Sequence, residues 1–402
     1  MRYSSAMLRS DTLLSWCPSA FARALLLGCL MAPTAVLATP PAPAAESPTP
    51  APRPLSLGLT AVDGVLVGHH RLADRATGCT VVRVDAGAVA AVDVAGGAPG
   101  TRETDLLDPA RTVQQAHAIV LAGGSAFGLA AADGVMEWLA ARGVGFPTGG
   151  GPVPIVPAAI LYDLQVVAGA ADPQAHPGAD CGRRAAAAAS DGPVVEGTVG
   201  AGTGATVGKL AGFERATKSG LGSAAVRTTD GFTVAALAAV NALGDIVDPS
   251  TGQLVAGARS EDGRRFVDAR RLLRGEVDDE PTAATEGLGA PPSSNTTLVI
   301  VATDAVLDQA SATRLARMAQ AGLARTIYPV YTPWDGDVVF ALATARRAGE
   351  VDLVALGARA ADAVAEAVLR AARTAESLPG LPSARELEAA TDADSPTAGS
   401  AP

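Results

Sequence analysis

The sequence SSNTTLVIVAT, residues 293–303, decides the fold because a polar loop passes there directly into a buried strand. Residues 260–294 are rich in charge, glycine and proline, a composition typical of an exposed loop. From Thr296 to Thr303 the chain is apolar and β-branched, which predicts a buried strand. A helix is predicted next, from about Asp308 to Ala324. The hydrophobic core therefore restarts abruptly at Thr296.

Val-rich and Ile-rich runs alternate with glycine-rich turns and alanine-rich helices on both sides of this point. This alternation predicts a mixed α/β fold in which helices cover a sheet. Further strands are predicted at 81–84, 116–121, 232–238, 338–342 and 351–356, and further helices at 125–143 and 358–375. The polar residues 376–402 are predicted to be a disordered tail.

Composition restricts the class of function. The chain has 402 residues, 48% of them hydrophobic, which is ample for a sizeable core. Its formal charge of -10 and lack of clustered Lys and Arg argue against nucleic-acid binding. A small molecule or a peptide is the partner that this composition favours.

The N-terminal region predicts export. Three arginines precede an apolar run, Ala24 to Ala38, that ends in small residues, as in a secretory signal peptide. We expect a signal peptide over 1–38, an Ala/Pro-rich linker over 39–54, and a secreted or periplasmic protein without a membrane span. An alternative is a lipid anchor at Cys29, within an imperfect lipoprotein-type cleavage site.

Cys79 and Cys181 are the two cysteines that remain after such a leader. In an oxidising compartment they could pair, but two separate buried thiols fit the sequence as well. Four histidines without HxxxH or CxxC spacing give little support to a zinc site, so no metal is predicted.

Thr296 is the candidate nucleophile. A hydroxyl nucleophile needs a base, and a chain cut just before Thr296 would supply one from its own α-amino group, whose usual pKa is ~7.7–8.0. The competing interpretation is structural: Asn-Thr-Thr is simply the polar start of a strand, or a sequon without function here.

Several motifs together resemble one family. They are LTAVDGV with Gly68-His69 (residues 59–69), GGAPGTRETD (96–105), LAGGSAFG (121–128), GAGTGA (200–205), Asn295-Thr296-Thr297 and Asp335-Gly336-Asp337. The order of these motifs is similar to that of the self-processing N-terminal-nucleophile hydrolases of the P1 (S58-type) peptidase family. That family includes β-peptidyl aminopeptidases, D-aminopeptidases and nylon-oligomer hydrolases, and the similarity runs from about Leu57 to Ala375.

The resemblance implies a four-layer αββα sandwich made of two chains cut from one precursor. Cleavage between Asn295 and Thr296 would leave a large chain, 55–295, and a small chain, 296–375, in the same folded domain. We expect these processed units to form a homo-oligomer. Asn before the nucleophile is typical of the oligoamide hydrolases of the family. The best-known aminopeptidases of the family have Ser, instead of Thr, as the nucleophile.

The resemblance also assigns roles to other residues. Lys209 would lie beside the nucleophile and lower the pKa of the new α-amine through its charge. Asn241 and Tyr162 would donate hydrogen bonds to the oxyanion. Asp335 and Asp337 stand where those aminopeptidases have Ser and Glu, and we expect them to contact an ammonium group.

Each assignment has a plainer alternative. For Lys209 the alternative is a solvated surface lysine in a glycine-rich turn. The segment that it ends, GAGTGATVGK (200–209), is a near match to a phosphate-binding loop but lacks the first Gly and the Ser/Thr of such a loop, so nucleotide binding is rejected. Lys218 is a weaker candidate because its surroundings predict a turn. Tyr162 and Asn241 fit a core and a turn position, and the two aspartates could hold a divalent metal if further oxygen ligands were near.

The sequence therefore predicts an exported, self-processing amidase or aminopeptidase that acts on peptides or oligoamides without a cofactor. Two alternatives remain. One is acyl transfer of the ornithine acetyltransferase type, against which export argues. The other is a processed but catalytically silent binding protein, against which the complete set of Thr, Lys, Asn and paired Asp residues argues.

Overall fold

The computed structural model describes residue 53 and residues 55–276 and 295–394. The expected signal peptide and nearly all of the expected linker lie outside these residues, as does the end of the predicted loop at 277–294. Within the described part of the chain, no helix combines the length and the apolar character that a membrane crossing needs.

The residues that the structure describes form sixteen strands. They are β1 (Leu66–Arg71), β2 (Gly78–Val94), β3 (Thr101–Arg102), β4 (Gln115–Ala122), β5 (Ala158–Ile160), β6 (Thr206–Val207), β7 (Thr217–Lys218), β8 (Leu221–Arg227), β9 (Thr233–Asn241), β10 (Asp245–Val247), β11 (Leu254–Ala256), β12 (Ala258–Arg259), β13 (Phe266–Val267), β14 (Thr296–Ala305), β15 (Ile327–Tyr328) and β16 (Val338–Arg347).

The α-helices are α1 (Ala131–Ala140), α2 (Ala179–Ala188), α3 (Ala269–Leu272), α4 (Gln309–Thr326), α5 (Leu353–Arg373) and α6 (Ala384–Asp394). Short 3-10 helices lie at Leu55–Ala61, Thr104–Leu107, Ser125–Ala130, Gly200–Gly202 and Phe213–Arg215.

One large sheet organises the fold, with strand order β3-β5-β4-β2-β16-β14-β9-β8 and β1 paired to β2. Its longest strand, β2, pairs with β1 through its first half and with β16 through its second half. The pairing of β2 with β4 shifts register between Arg83 and Ala88. The two halves of the sheet diverge at this point, since an irregularity in a ladder bends the strand.

Three buried apolar clusters separate four layers. One lies between α4, α5 and the strands β9, β14 and β16, and includes Val299, Val301 and Val364. A second lies between the two halves of the sheet and includes Leu298, Ile300 and Ile119. A third lies between β2, β4 and the helices α1 and α2. Because alternate residues of a strand face opposite sides, β14 contributes to two clusters, and the layers follow the predicted αββα order.

Three local predictions fail. The stretch predicted to be an exposed loop from Ser260 contains β13 and the short helix α3, with Val267 and Ala269 buried. The predicted strand at 351–356 is wrong, because the Asp352 side chain accepts hydrogen bonds from the N–H groups of Val354 and Ala355 and so starts α5 at Leu353. The structure also places helix α6 inside the stretch predicted to be disordered from Glu376, with Leu381 and Ala384 buried just before and at its start.

A disulfide joins Cys79 of β2 to Cys181 of α2, with 6.2 Å between their Cα atoms. It ties an outer helix to the sheet and resolves the alternative that the sequence left open.

Candidate active site

Three neighbouring strands bring the candidate residues to one edge of the main sheet. Thr296 starts β14 and is paired with Asn241, the last residue of the antiparallel strand β9. On the other side β14 runs parallel to β16, with Leu298 beside Val338. Because parallel strands start at the same edge, the turn Asp335-Gly336-Asp337 before β16 lies beside Thr296.

The peptide bond between Asn295 and Thr296 is buried, with both residues at most 4% exposed. The Thr296 hydroxyl donates to the carbonyl oxygen of Asn295. The same oxygen accepts the backbone N–H of Gly336 at 2.9 Å. A potential nucleophile and a hydrogen-bond donor therefore meet at one carbonyl group.

Residue 336 has no room for a side chain. A Cβ there would lie 2.8 Å from the Thr296 Oγ1 and 2.7 Å from the carbonyl oxygen of Ala98. Glycine lets the backbone approach both the hydroxyl and the carbonyl of the Asn295–Thr296 junction.

Lys209 is held against Asn241. Its Nζ donates to the side-chain Oδ1 of Asn241 at 2.9 Å and to the backbone oxygen of Asn241 at 3.0 Å. The Oδ1 also accepts the N–H of Thr206 at 3.0 Å, while Nδ2 donates to the backbone oxygen of Tyr162 at 2.9 Å. These bonds set the orientation of the Asn241 amide.

Burial lowers the pKa of Lys209 to about 7, and the nearby carboxylates of Asp335, Asp163 and Asp337 oppose this shift, in that order. Desolvation disfavours the ammonium form, whereas negative charges favour it. Lys209 therefore lies against Asn241, the residue paired with Thr296, in surroundings that disfavour its ammonium form.

The two aspartates of the turn accept hydrogen bonds from backbone groups. Asp337 Oδ1 accepts the N–H of Thr297 at 2.6 Å, and its Oδ2 accepts the N–H of Tyr331 at 3.1 Å. Burial raises the pKa of Asp337, and the adjacent charge of Asp335 raises it further.

Asp335 Oδ1 accepts the N–H of Leu243 at 3.4 Å, and its Oδ2 accepts the N–H of Thr332 at 3.1 Å and the Thr332 hydroxyl. Both carboxylates thus orient the backbone around Thr296 in the uncleaved chain.

The segment 95–98 covers the turn from outside. Ala95 and Gly96 donate their N–H groups to the carbonyl of Asp337, and Ala98 donates to the carbonyl of Asp335 at 2.8 Å. A Cβ at Gly96 would collide with the backbone of the turn. Close backbone contact with the turn therefore explains the first glycine of the GGAPG motif.

The structure brings Thr296, Lys209, Asn241, Asp335 and Asp337 together, whereas Tyr162 reaches this group through its backbone carbonyl. Asp163 was not among the predicted site residues, Gly336 was named only as part of its motif, and Lys218 was named as a weaker candidate than Lys209. Lys218 lies in strand β7 rather than in the predicted turn, and it is completely buried. A signal was present: Lys209 and Lys218 are the two lysines of the whole chain.

Within residues 53, 55–276 and 295–394, no three His, Cys, Asp or Glu side chains form a group that could hold a metal ion.

The family of the chain is shown by its sequence, because the model of peptidase family S58 matches residues 58–385. The chain belongs to peptidase family S58. It is a hydrolase of the peptidase and amidase type, and the predicted family resemblance is confirmed.

Relatives of two kinds are similar to this S58 chain. An "uncharacterized aminopeptidase" of Mycobacterium tuberculosis is 43% identical over 356 residues, which cover 82% of this chain and 97% of the relative. A 6-aminohexanoate-oligomer endohydrolase of a Kocuria species is 31% identical over 324 residues, which cover 77% of this chain and 84% of the relative.

Solved structures confirm the fold. A beta-aminopeptidase from a Burkholderia species superposes with a TM-score of 0.58 at 25% identity, covering 86% of this chain and 96% of that one. L-aminopeptidase D-Ala-esterase/amidase from Ochrobactrum anthropi, a variant of the Ntn hydrolase fold, gives a TM-score of 0.57 at 21% identity, covering 84% and 93%. The predicted N-terminal-nucleophile type of fold is therefore confirmed.

Proposed function

We propose that the chain cleaves itself between Asn295 and Thr296 and then acts as an aminopeptidase or amidase with Thr296 as its N-terminal nucleophile. The observation that carries this proposal is the contact of the Thr296 hydroxyl with the Asn295 carbonyl, whose oxygen also accepts the Gly336 N–H.

Self-cleavage starts when Thr296 Oγ1 attacks the carbonyl carbon of Asn295 and gives up its proton. Negative charge develops on the carbonyl oxygen, where the Gly336 N–H already donates at 2.9 Å. The C–N bond then breaks, the nitrogen of Thr296 gains a proton, and an ester remains between Asn295 and Oγ1. Water hydrolyses this ester to the Asn295 carboxylate and the free hydroxyl of Thr296.

Turnover repeats this chemistry on a second amide. The α-amine of Thr296, in its neutral form, takes the hydroxyl proton as Oγ1 attacks the substrate carbonyl. The leaving amine departs with a proton, and water releases the acyl group from Oγ1. Lys209, next to Asn241 opposite Thr296, lowers the pKa of the α-amine through its charge and favours the base-competent form.

We propose two roles for Asn241. Its Oδ1 positions Lys209, and its Nδ2 donates to the oxyanion once substrate binding has broken the hydrogen bond between Nδ2 and the Tyr162 carbonyl. The paired carboxylates Asp335 and Asp337 are proposed to keep Thr296 in place before the cut and to accept an ammonium group after it. The substrate class is a peptide or an oligoamide, in keeping with the names of the two kinds of relative.

We also propose that the protein is exported and forms a homo-oligomer of processed units. The disulfide Cys79–Cys181 supports export, because such bonds persist in oxidising compartments.

N-terminal sequencing and intact mass of the active protein test the cleavage. The small chain should begin Thr-Thr-Leu and contain 107 residues, since 402 - 295 = 107. Thr296→Ala should stay one chain and be inactive, whereas Thr296→Ser should still be cut because it retains a hydroxyl. Thr297→Ala, at the neighbouring threonine, is the control that should be cut. A single intact chain in an active preparation contradicts the proposal.

A further inference from the structure

Lysine is used at two positions in this chain. The chain has 31 basic residues, of which two are lysines, Lys209 and Lys218, and 29 are arginines. Both lysines are buried, at 9% and 0% exposure. Unlike Arg, a buried Lys changes its charge readily, so its neighbours decide whether it is an ammonium ion.

Lys218 lies directly behind the segment that carries Lys209. In the pairing of β6 with β7 it stands opposite Thr206, which bonds Asn241. Its Nζ donates to the carbonyl of Gly202 at 3.1 Å and to that of Ser219. The glycine-rich segment that leads to Lys209 is therefore anchored by the second lysine.

Asp163 is buried beside this segment, at 2% exposure. Its Oδ1 accepts the N–H of Gly124 at 2.8 Å. A Cβ at Gly204 would lie 2.6 Å from its Oδ2, so the carboxylate packs against the glycine-rich segment. Arg75 donates to its backbone oxygen at 3.2 Å. Both the backbone and the side chain of Asp163 are thus fixed.

Two routes connect Asp163 to the candidate active site. Its neighbour Tyr162 uses its carbonyl oxygen to hold the Asn241 amide, whose Oδ1 binds Lys209. Its charge also acts on both lysines. One route fixes the position of Lys209, and the other affects its charge.

Side chains of both charge signs are buried in this interior region. Lys209, Lys218 and Arg75 are buried cations, and Asp163, Asp335 and Asp337 are buried carboxylates. The charges of Asp335 and Asp337 act on Lys209, and that of Arg71 acts on Lys218. Asp163 is the carboxylate whose charge acts on both lysines. Loss of its charge would remove the negative charge that favours the ammonium form of both lysines.

We propose that Asp163 is a positioning residue of this active site, which fixes the Asn241–Lys209 pair through Tyr162 and supplies the negative charge that both buried lysines share. The proposal deepens the proposed function, since it rests on a role for Lys209 beside Thr296. Its test is chosen to need neither self-cleavage nor turnover.

The experiment follows the lysines by NMR in Thr296→Ala protein, which stays one chain, as in the structure. With 13C-labelled lysine the side chains give two resonances, and Lys218→Met assigns them. Asp163→Asn should lower the midpoint of the Lys209 titration by about one pH unit, because a nearby negative charge favours the ammonium form. Lys218 should shift in the same direction.

Asp304→Asn is the matched control. Asp304 also accepts a backbone N–H, that of Thr233 at 2.9 Å, but it lies near the far end of β14. It should leave both midpoints unchanged. Circular dichroism and thermal melting check that each variant is folded.

Lys218→Met provides a second test with the opposite sign. Removal of a positive charge that shares Asp163 should raise the midpoint of Lys209. If Asp163→Asn does not fold, the Lys209 midpoint in Lys218→Met is the measurement that tests the proposal. An unchanged Lys209 midpoint in the folded Asp163→Asn protein, or in Lys218→Met, overturns the proposal. The two proposals can fail separately. An unchanged Lys209 midpoint would not contradict self-cleavage at Thr296, and an absence of cleavage in the parent protein would not change the lysine titration.

Discussion

The backbone N–H of Gly336 donates to the carbonyl oxygen of Asn295 across 2.9 Å, and a Cβ on Gly336 would lie 2.8 Å from Thr296 Oγ1. One residue therefore touches both the electrophile and the nucleophile of the proposed cleavage. A backbone donor is well suited to this place, because it is held by the turn and needs no side-chain ordering when charge develops.

Gly336→Ala should slow both self-cleavage and turnover by about 100-fold, since loss of one oxyanion donor typically has an effect of this size. The added methyl group would push the turn away from the carbonyl of Ala98 and from Thr296. Timed gels of the precursor and steady-state assays measure the two rates. Gly149→Ala is the control, because a Cβ there meets nothing within 4 Å. Normal rates for Gly336→Ala would exclude the proposed donor.

Lys209→Met should raise the pH at which activity appears by about one unit, because removal of a nearby positive charge raises the pKa of the Thr296 α-amine. The acid limb of kcat/KM against pH measures this shift. Lys209→Arg retains the charge and should retain the position of the limb. An acid limb that does not move in the Met variant would separate Lys209 from the base.

Asp335→Asn and Asp337→Asn should reduce self-cleavage and turnover together. Each Asn replaces one acceptor oxygen by a donor that faces a backbone N–H, at a cost of about 1–3 kcal/mol in folding free energy. Urea unfolding and the two rate assays quantify the effects, with Asp304→Asn as control. A metal site predicts instead that excess chelator abolishes wild-type activity and that magnesium or calcium restores it.

Lys218→Met should change how stability depends on pH. Burial lowers the folded-state pKa of both Lys209 and Lys218 from 10.5 to about 7. Between these values the unfolded chain binds more protons than the folded chain, so the free energy of unfolding rises with pH.

With two such lysines the slope between about pH 8 and pH 9.5 should approach 2.7 kcal/mol per pH unit, and in Lys218→Met it should fall to about 1.4. Urea unfolding of Thr296→Ala protein at several pH values, without reductant, measures it. An equal slope in both proteins would mean that Lys218 is an ammonium ion in the folded state at these pH values.

Sequence pattern was sufficient where structure depends on neighbours along the chain. The apolar run that begins at Thr296 predicted β14, and the helical spacing of apolar residues after Asp308 predicted α4. Both predictions are confirmed because the periodicity of apolar residues and helix capping are local properties of the sequence. The prediction of a strand at 351–356 was wrong because the local pattern there is ambiguous. Its apolar residues suit a strand or a helix equally, and the Asp352 cap decided for the helix.

The sequence by itself determined the residue types at the candidate site and the layer order that the family resemblance implied. Only the tertiary structure decided which atoms meet. Tyr162 contributes a carbonyl rather than its hydroxyl, Asp335 and Asp337 bind backbone N–H groups, and Gly336 supplies the donor at Asn295. These contacts depend on the register of β14 between β9 and β16, and that register joins segments far apart in the chain, for which no local pattern of residues carries information.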